Sequence, residues 1–224
     1  MKTIAIFGGS GGLGQKVSEL LRLSYDIDGC ENIDYRYEVL SLSSKDVDIR
    51  DYDACKKLFE QYQIDIVINL AGINFDKFIH KLDLQDYHSV RHLLDTNIHG
   101  AINIAATALP GMRERGYGRI IMISSILATK NVLGTALYSS CKAFIDRFVK
   151  SISAENVSKG VTANSIQLGY FDGGMTDKLN NPEKFKQEIP LKRWGTIDEL
   201  AKTIEYIIDT EYLTGTNLAI NGGL

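Results

Sequence analysis

The sequence has few cysteines and no long apolar run, and each shortage excludes a class of protein. Three cysteines lie far apart in 224 residues, which suits free thiols in a reducing compartment better than a disulfide framework or a zinc site. No run approaches the roughly 18 apolar residues of a membrane span, and the apolar start, Ile4–Phe7, is too short for a signal peptide. A net charge of −3 provides no basic field for nucleic acid or anionic membrane. We therefore expect a cytoplasmic globular protein that binds neither.

Short runs rich in Ile and Val alternate with amphipathic stretches along the whole chain. Runs this apolar predict strands buried on both faces, as in a parallel sheet, with helices on both sides through right-handed crossovers. We predict one α/β domain over residues 1–224, a doubly wound, Rossmann-like parallel sheet, with Ser24–Arg36 as a surface excursion. The predicted strands are Lys2–Phe7, Tyr37–Ser41, Ile66–Leu70, Arg119–Ile123, Val161–Gln167 and Asn217–Ile220. The predicted helices are Leu13–Leu23, Tyr52–Gln61, Gln85–Ala108, Ala136–Ser158 and Ile197–Ile208.

A glycine-rich loop follows the first predicted strand and opens the first helix. Gly9, Gly11 and Gly14 fit the dinucleotide spacing GxGxxG, whereas Gly8, Gly12 and Gly14 fit GxxxGxG. Glycines let the main chain approach a phosphate closely, and a helix start offers unpaired N–H groups at the positive end of its dipole. The loop therefore predicts a dinucleotide site. Its predicted cofactor contacts are Gly8, Ser10, Gly11, Gly12, Leu13 and Gly14.

The end of the second predicted strand bears on which dinucleotide binds. An NAD enzyme usually has an acid there for the ribose 2′-hydroxyl. Here the strand continues into Ser41-Leu42-Ser43-Ser44-Lys45 with no carboxylate at its tip, and Asp34 precedes the strand. Hydroxyls and a lysine suit a 2′-phosphate, so we predict NADP(H), with NAD(H) as the alternative. The predicted contacts are Ser43, Ser44 and Lys45.

Tyr138 and Lys142 lie four residues apart near the start of a predicted helix, so they share a face. A free tyrosine has a pKa of about 10, and a neighbouring lysine cation moves it toward neutrality, where proton exchange is efficient. Ser125 ends the preceding strand, at the edge where parallel sheets build their sites, and its hydroxyl can hold a carbonyl oxygen. The three side chains indicate interconversion of a carbonyl and a hydroxyl group.

Together with several further segments, these motifs resemble the short-chain dehydrogenase/reductase family over nearly the whole chain. The further segments are Asp48, Asn69-Leu70-Ala71-Gly72, Asn97 and Asn217–Gly223. The resemblance implies that Tyr138 is the general acid/base and that Lys142 binds the nicotinamide ribose and lowers the tyrosine pKa. It also implies that Ser125 polarises the carbonyl and that Asn97 holds a water in a proton relay. The implied cofactor contacts are Asp48 at the adenine, Asn69, Ala71, Gly72, Tyr138, Lys142, Gly169, Phe171 and Thr176.

The C-terminal third is similar to bacterial 3-oxoacyl-carrier-protein reductases, in the stretches Ile189–Gly195, Asp198–Ala201 and Leu213–Gly223. This implies a 3-oxoacyl thioester substrate, free or on an acyl carrier protein, and a place in fatty acid biosynthesis. A sugar, polyol or small-ketone reductase is one alternative. A cofactor-binding sensor or scaffold without turnover is another, since a fold does not fix a function. In relatives the two long predicted helices form a dimer face, so a homodimer or homotetramer is expected.

The chain also departs from the family pattern. Leu168-Gly169 stands where Pro-Gly is usual, Gly173 where a threonine is common, and the segment before Asp48 is compressed, which predicts a very short strand there. We expect Tyr170–Pro190 to form a flexible lid. His88, His92 and His99 lie on one helix without an HExxH pattern, so solvated histidines and no metal site are expected.

Overall fold

The computed structural model describes residues 1–22, 37–173 and 181–224. Its six strands are β1 Lys2–Phe7, β2 Tyr37–Leu42, β3 Ile66–Asn69, β4 Gly118–Ser125, β5 Val161–Leu168 and β6 Asn217–Ile220. The predicted strands are confirmed with ends shifted by at most two residues, because their apolar runs are covered by helices on both faces. The six strands form one parallel sheet in the order β2-β1-β3-β4-β5-β6.

Helices cover both faces of the sheet, so the predicted doubly wound α/β class is confirmed. The helices are α1 Gly12–Arg22, α2 Tyr52–Gln61, α3 Tyr87–Leu94, α4 Gly100–Arg115, α5 Ala136–Asn156, α6 Pro182–Glu188 and α7 Ile197–Asp209. On one face of the sheet the core includes side chains of α2, α4 and α5, and on the other face it includes side chains of α1 and α7. In the described ranges, no helix is long and apolar enough to cross a membrane.

The predicted helix Gln85–Ala108 is wrong in its continuity and in both ends. Short 3₁₀ turns precede α3, and a π turn at Asp95–His99 separates α3 from α4, which continues to Arg115. Gly116, with φ 68°, adopts the left-handed conformation that glycine tolerates and ends α4. A π turn rotates the following residues relative to an unbroken α-helix, and here it buries Thr96 and Asn97.

The compressed segment after β2 has a structural consequence. The chain passes from Leu42 to Asp48 in one turn, and the described residues contain no strand between them. Strand β2 is therefore the edge of the described sheet, and the side chains of Val47 and Ile49 enter the core in place of a further strand. The very short strand expected here is absent from the described part of the chain.

Two other expectations fall wholly or partly outside the described residues. The excursion Ser24–Arg36 lies outside them, as do residues 174–180 of the expected lid. The described remainder of the lid contains α6, which was not predicted. Asn181 accepts a hydrogen bond from Lys184 N and Pro182 occupies the first turn, which is the usual start of a short helix.

Candidate active site

The glycine loop fits tightly between the ends of β2 and β3. The amides of Gly8 and Gly9 both donate to Leu42 O, at 3.0 and 2.9 Å. Gly8 has φ +83°, and a β-carbon there would lie 2.7 Å from Ala71 N. A β-carbon on Gly14, in the first turn of α1, would lie 2.1 Å from Gly8 O. Glycine is therefore required at both positions, and the predicted loop-to-helix geometry of a phosphate site is present.

The tip of the glycine loop is exposed to solvent. Ser10, Gly11 and Gly12 are exposed and Leu13 is half-buried, directly at the start of α1. The first amides of a helix have no partner within the helix and lie at its positive end. These predicted contacts are thus available to an anionic group such as a pyrophosphate.

The turn after β2 differs from what the sequence indicated, because a carboxylate does lie at the tip of this strand. Asp46 Oδ2 accepts hydrogen bonds from Ser43 N at 2.8 Å and from Ser43 Oγ at 2.6 Å. These bonds lower the pKa of Asp46, so its carboxylate is charged at neutral pH. The Ser43 hydroxyl is already used, while Ser44 and Lys45 are exposed. The sequence does contain a signal for this turn, because Ser43 and Asp46 have the spacing Ser-x-x-Asp, which is a common turn pattern.

Asp48, expected at the adenine, is held by Arg50. Arg50 Nε lies 2.9 Å from Asp48 Oδ1, and Nη2 lies 2.6 Å from Oδ2, a two-pronged ion pair that lowers the pKa of Asp48. Arg50 Nη1 lies 3.0 Å from His92 Nδ1, and His99 Nδ1 lies 2.9 Å from Asp95 Oδ1. The adenine contact stays a prediction. In the described ranges, no group of three or more His, Cys, Asp or Glu side chains is arranged to hold a metal ion.

The segment after β3 places a glycine, Gly72, at the centre of the site. Asn69 is buried, and its Oδ1 accepts a hydrogen bond from Ala71 N at 3.1 Å, which shapes the turn. A β-carbon on Gly72 would lie 2.8 Å from Asn97 Oδ1 and 3.4 Å from Lys142 Nζ. Gly72 thus lies between two of the predicted catalytic side chains, and a larger residue there would displace Asn97.

Asn97 fastens this segment to the π turn. Its Oδ1 accepts from Ile73 N at 3.2 Å, and its Nδ2 donates to Ile73 O at 2.8 Å and to Leu93 O at 3.1 Å. The side chain is buried, so these bonds use it as a structural clamp. The implied role in holding a water stays a prediction.

Ser125, Tyr138 and Lys142 are brought together where β4 ends and α5 begins. Lys142 Nζ lies 5.5 Å from the centre of the Tyr138 ring and donates to Ile123 O at 2.8 Å. Ser124 Oγ donates to Lys142 O at 3.1 Å, which fixes α5 against β4. Ser125 Oγ accepts from Leu127 N at 3.2 Å, and the Ser125 side chain is close enough to the Tyr138 hydroxyl to lower its pKa. The structure therefore brings the three predicted side chains together, and their catalytic roles stay a prediction.

Burial controls the electrostatics of this site. It raises the pKa of Tyr138 to about 12, an increase that the interaction with Ser125 only partly opposes, and it lowers the pKa of Lys142 to about 8. The expected net lowering of the tyrosine pKa by Lys142 is thus wrong for this geometry. A raised pKa keeps the Tyr138 phenol protonated through neutral pH, and a protonated phenol is the form that can give a proton to a carbonyl oxygen.

The remaining predicted contacts lie beyond β5. Gly169 abuts the C-terminal segment, since a β-carbon there would lie 2.7 Å from Asn221 Cα. Phe171 is buried, and its segment pairs with Gly195, whose amide donates to Tyr170 O at 2.9 Å. Thr176 lies outside the described residues. A cavity of about 500 Å³ opens beside this segment; its lining includes Tyr170, Phe171, Ile189, Leu191, Arg193 and Gly222.

The fold and the candidate site define an α/β protein that has a glycine-rich loop before its first helix and a serine–tyrosine–lysine group at the ends of its parallel strands. The family model for short chain dehydrogenases matches residues 2–184. The chain belongs to the short chain dehydrogenase family and is an oxidoreductase of that family. The resemblance carried by the sequence motifs is confirmed.

Full-length relatives and a solved structure agree with this assignment. Acetoacetyl-CoA reductase of Cupriavidus necator is 30% identical over 98% of this chain and 96% of its own length. A 3-oxoacyl-[acyl-carrier-protein] reductase of Rickettsia typhi is 30% identical over 100% of this chain and 96% of its own length. The structure of ElxO with NADP bound has a TM-score of 0.82 at 23% identity and covers 99% of this chain and 98% of that chain, which shows the common fold.

Proposed function

We propose that this protein is an NADP(H)-dependent reductase that converts the ketone of a 3-oxoacyl thioester to a hydroxyl group. The observation that carries the proposal is the grouping of Ser125, Tyr138 and Lys142 beside Gly72, in the segment that packs against the glycine loop. The names of the full-length relatives, an acetoacetyl-CoA reductase and a 3-oxoacyl-carrier-protein reductase, support the substrate class.

Each residue of the site has its own role in carbonyl reduction. The Tyr138 hydroxyl gives a proton to the ketone oxygen, and the Ser125 hydroxyl donates a hydrogen bond that stabilises negative charge on that oxygen. The Lys142 ammonium stabilises the phenolate that remains on Tyr138. When bound, the nicotinamide supplies the hydride that reduces the ketone carbon.

The residues around the loop fit a dinucleotide. Gly8 and Gly14 let the loop pack closely against Ala71 and the first turn of α1, and the exposed start of α1 provides amides for the pyrophosphate. Lys142 and the backbone at Gly72 would hold the nicotinamide ribose. Ser44 and Lys45 would meet the 2′-phosphate. The NADP named with the solved relative of the same fold supports the choice of cofactor.

The direct test follows oxidation of NADPH, and separately of NADH, with an acetoacetyl thioester as the substrate. We expect turnover with NADPH in preference to NADH. If NADPH binds without turnover of the thioester, the substrate class is wrong, and a panel of sugar, polyol and small-ketone carbonyls then separates another reductase from a cofactor-binding sensor. If neither cofactor binds, the proposed function is wrong.

The carboxylate of Asp46 predicts a charge effect on cofactor preference. Asp46→Asn removes a negative charge from the turn that would meet a phosphate dianion, so it should strengthen NADPH binding several-fold and leave NADH binding nearly unchanged. Lys45→Ala should do the reverse and weaken NADPH binding. Both dissociation constants can be measured by fluorescence titration of the reduced cofactors. An equal change for NADPH and NADH in either variant would contradict this assignment.

We also propose that the protein is a cytoplasmic homo-oligomer that acts in fatty acid biosynthesis and accepts acyl groups on a carrier protein. Ile102 on α4 is exposed, and Phe144 and Phe148 on α5 stack with ring centres 5.3 Å apart on a partly buried face. These apolar side chains support an interface formed by α4 and α5. Sedimentation velocity should give a dimer or tetramer at micromolar concentration; a monomer would contradict the proposal.

A further inference from the structure

Helix α5 carries a second buried ionisable side chain one turn beyond Lys142. Asp146 is 6% exposed and Lys142 is 5% exposed, and residues four apart lie on the same helix face. Across residues 1–22, 37–173 and 181–224, the other buried charged side chains are Asp65 and Arg119. A buried charge is costly unless an opposite charge or hydrogen bonds compensate it. The closeness of an acid and a base on one buried face therefore needs a physical explanation.

Strand β5 holds the Asp146 carboxylate with neutral groups. Ser165 Oγ donates to Asp146 Oδ1 at 2.8 Å, and Gln167 Nε2 donates to Asp146 Oδ2 at 2.5 Å. Both donors are neutral, so these hydrogen bonds do not cancel the charge of the carboxylate. The negative charge of Asp146 thus stays available to act on its neighbours in a low-dielectric interior.

Lys142 is the neighbour that this charge affects. Burial lowers the pKa of Lys142, and coulombic interactions with Cys141 and with Asp146 oppose that decrease. Of the other groups near Lys142, Cys141 has a thiol whose pKa is raised by burial, so it is neutral at neutral pH, and Tyr138 is protonated. Asp76, from the segment after β3, acts on Tyr138. Ile123 O, from β4, provides an uncharged acceptor for Lys142 Nζ.

We propose that Asp146 is a positioning residue of the proton-transfer site: its buried carboxylate keeps Lys142 charged at neutral pH, so that the ammonium can stabilise the phenolate that proton transfer leaves on Tyr138. Ser165 and Gln167 serve this role by holding the carboxylate in place. The inference rests on the proposed function, because it assigns a task to a residue that touches neither substrate nor cofactor.

The test is the titration of Lys142 in the cofactor-free protein, followed through the ¹³Cε chemical shift of labelled lysine and assigned by its absence from Lys142→Arg. Asp146→Asn should lower the titration midpoint of Lys142 by about one pH unit, a tenfold change in its protonation constant. Asp65→Asn is the matched control. Asp65 is also buried, but it accepts from Thr3 N at 3.2 Å and lies near Arg115, away from the site. This control should leave the Lys142 midpoint unchanged.

Turnover gives a second readout. The pH at which kcat/KM for ketone reduction begins to fall should be lower in Asp146→Asn, because Lys142 then loses its charge at a lower pH and no longer stabilises the phenolate that proton transfer leaves on Tyr138. Asp65→Asn should keep the wild-type profile even if it lowers the melting temperature. A role for Asp146 that is only structural would lower the stability of Asp146→Asn and leave both the Lys142 midpoint and the pH profile at their wild-type values.

Asp146→Leu provides the measurement if Asp146→Asn does not fold. Leucine has a similar size and no charge, and Ser165 Oγ can then donate to Asn217 Oδ1, which lies 3.1 Å away. A Lys142 midpoint equal to the wild-type value in a folded Asp146 variant would overturn the inference. Failure of the proposed function is a separate result, because it is seen as absent turnover in the wild-type protein, whereas the titration needs neither substrate nor cofactor.

Discussion

Tyr138→Phe is expected to lower kcat/KM for carbonyl reduction by about 10²–10⁴-fold, the usual contribution of a positioned proton donor. The substitution removes one hydroxyl and keeps the ring, which is buried with Leu93 and Cys141. The packing of the site should therefore survive, and NADPH should still bind. Steady-state rates with the thioester substrate, together with a fluorescence titration of NADPH, measure both effects.

Tyr206→Phe is the matched control for this prediction. Its ring lies on α7 and is 54% exposed, so loss of its hydroxyl should not change the rate. If Tyr138→Phe kept the wild-type rate while NADPH still bound, another group would have to supply the proton, and the mechanism proposed here would be wrong.

The raised pKa of Tyr138 adds a directional pH dependence to this result. A general acid works below its pKa, so with a value of about 12 the phenol stays protonated and the rate of reduction should not fall as the pH rises through neutrality. Alcohol oxidation needs the phenolate, so its rate should increase with pH over the same range. A reduction rate that falls steeply at neutral pH would show that bound ligands or Lys142 lower the tyrosine pKa far below its value in this structure.

Gly14→Ala is expected to abolish cofactor binding for a purely steric reason. Gly14 lies in the first turn of α1 and has no positive φ, so alanine would favour the helix by about 1 kcal/mol in an open position. Here its β-carbon would lie 2.1 Å from Gly8 O and 2.9 Å from Gly9 Cα. The glycine loop must move away from α1 to relieve the overlap, which displaces the amides that would meet the pyrophosphate.

Thermal melting and NADPH titration of Gly14→Ala measure the two consequences. The melting temperature should fall, as for an overpacked core position, where an extra carbon costs about 1–3 kcal/mol. Gly11→Ala is the control within the same loop, because its β-carbon would lie 3.3 Å from Gly8 O and needs only a small adjustment. Equal loss of NADPH affinity in both variants would show that loop flexibility, and not close packing against α1, is what binding requires.

The sequence by itself determined the sheet, the order of its elements along the chain and the positions of the glycine loop and the tyrosine–lysine pair. Strands buried on both faces are continuous apolar runs, so their bounds can be predicted from local composition. The pair Tyr138 and Lys142 is equally local, because one turn of a helix brings the two side chains to one face. Ser125 follows from the rule that parallel strands end at the site.

Local patterns were weaker where a backbone irregularity interrupts an amphipathic stretch. The π turn Asp95–His99 keeps enough apolar periodicity to resemble an unbroken helix, and α6 is too short for periodicity to indicate it. Both features depend on contacts with distant residues. Asn97 stabilises the π turn through Ile73, which lies 24 residues earlier in the chain.

Only the tertiary structure decided the electrostatics of the site. The direction of the Tyr138 and Lys142 pKa shifts depends on how completely other segments cover these side chains, and a spacing of four residues carries no information on burial. The position of the Asp146 carboxylate likewise depends on donors from β5, about twenty residues further along the chain. Desolvation and long-range hydrogen bonding are properties of packed surfaces, so they exist only once the sheet and its helices have come together.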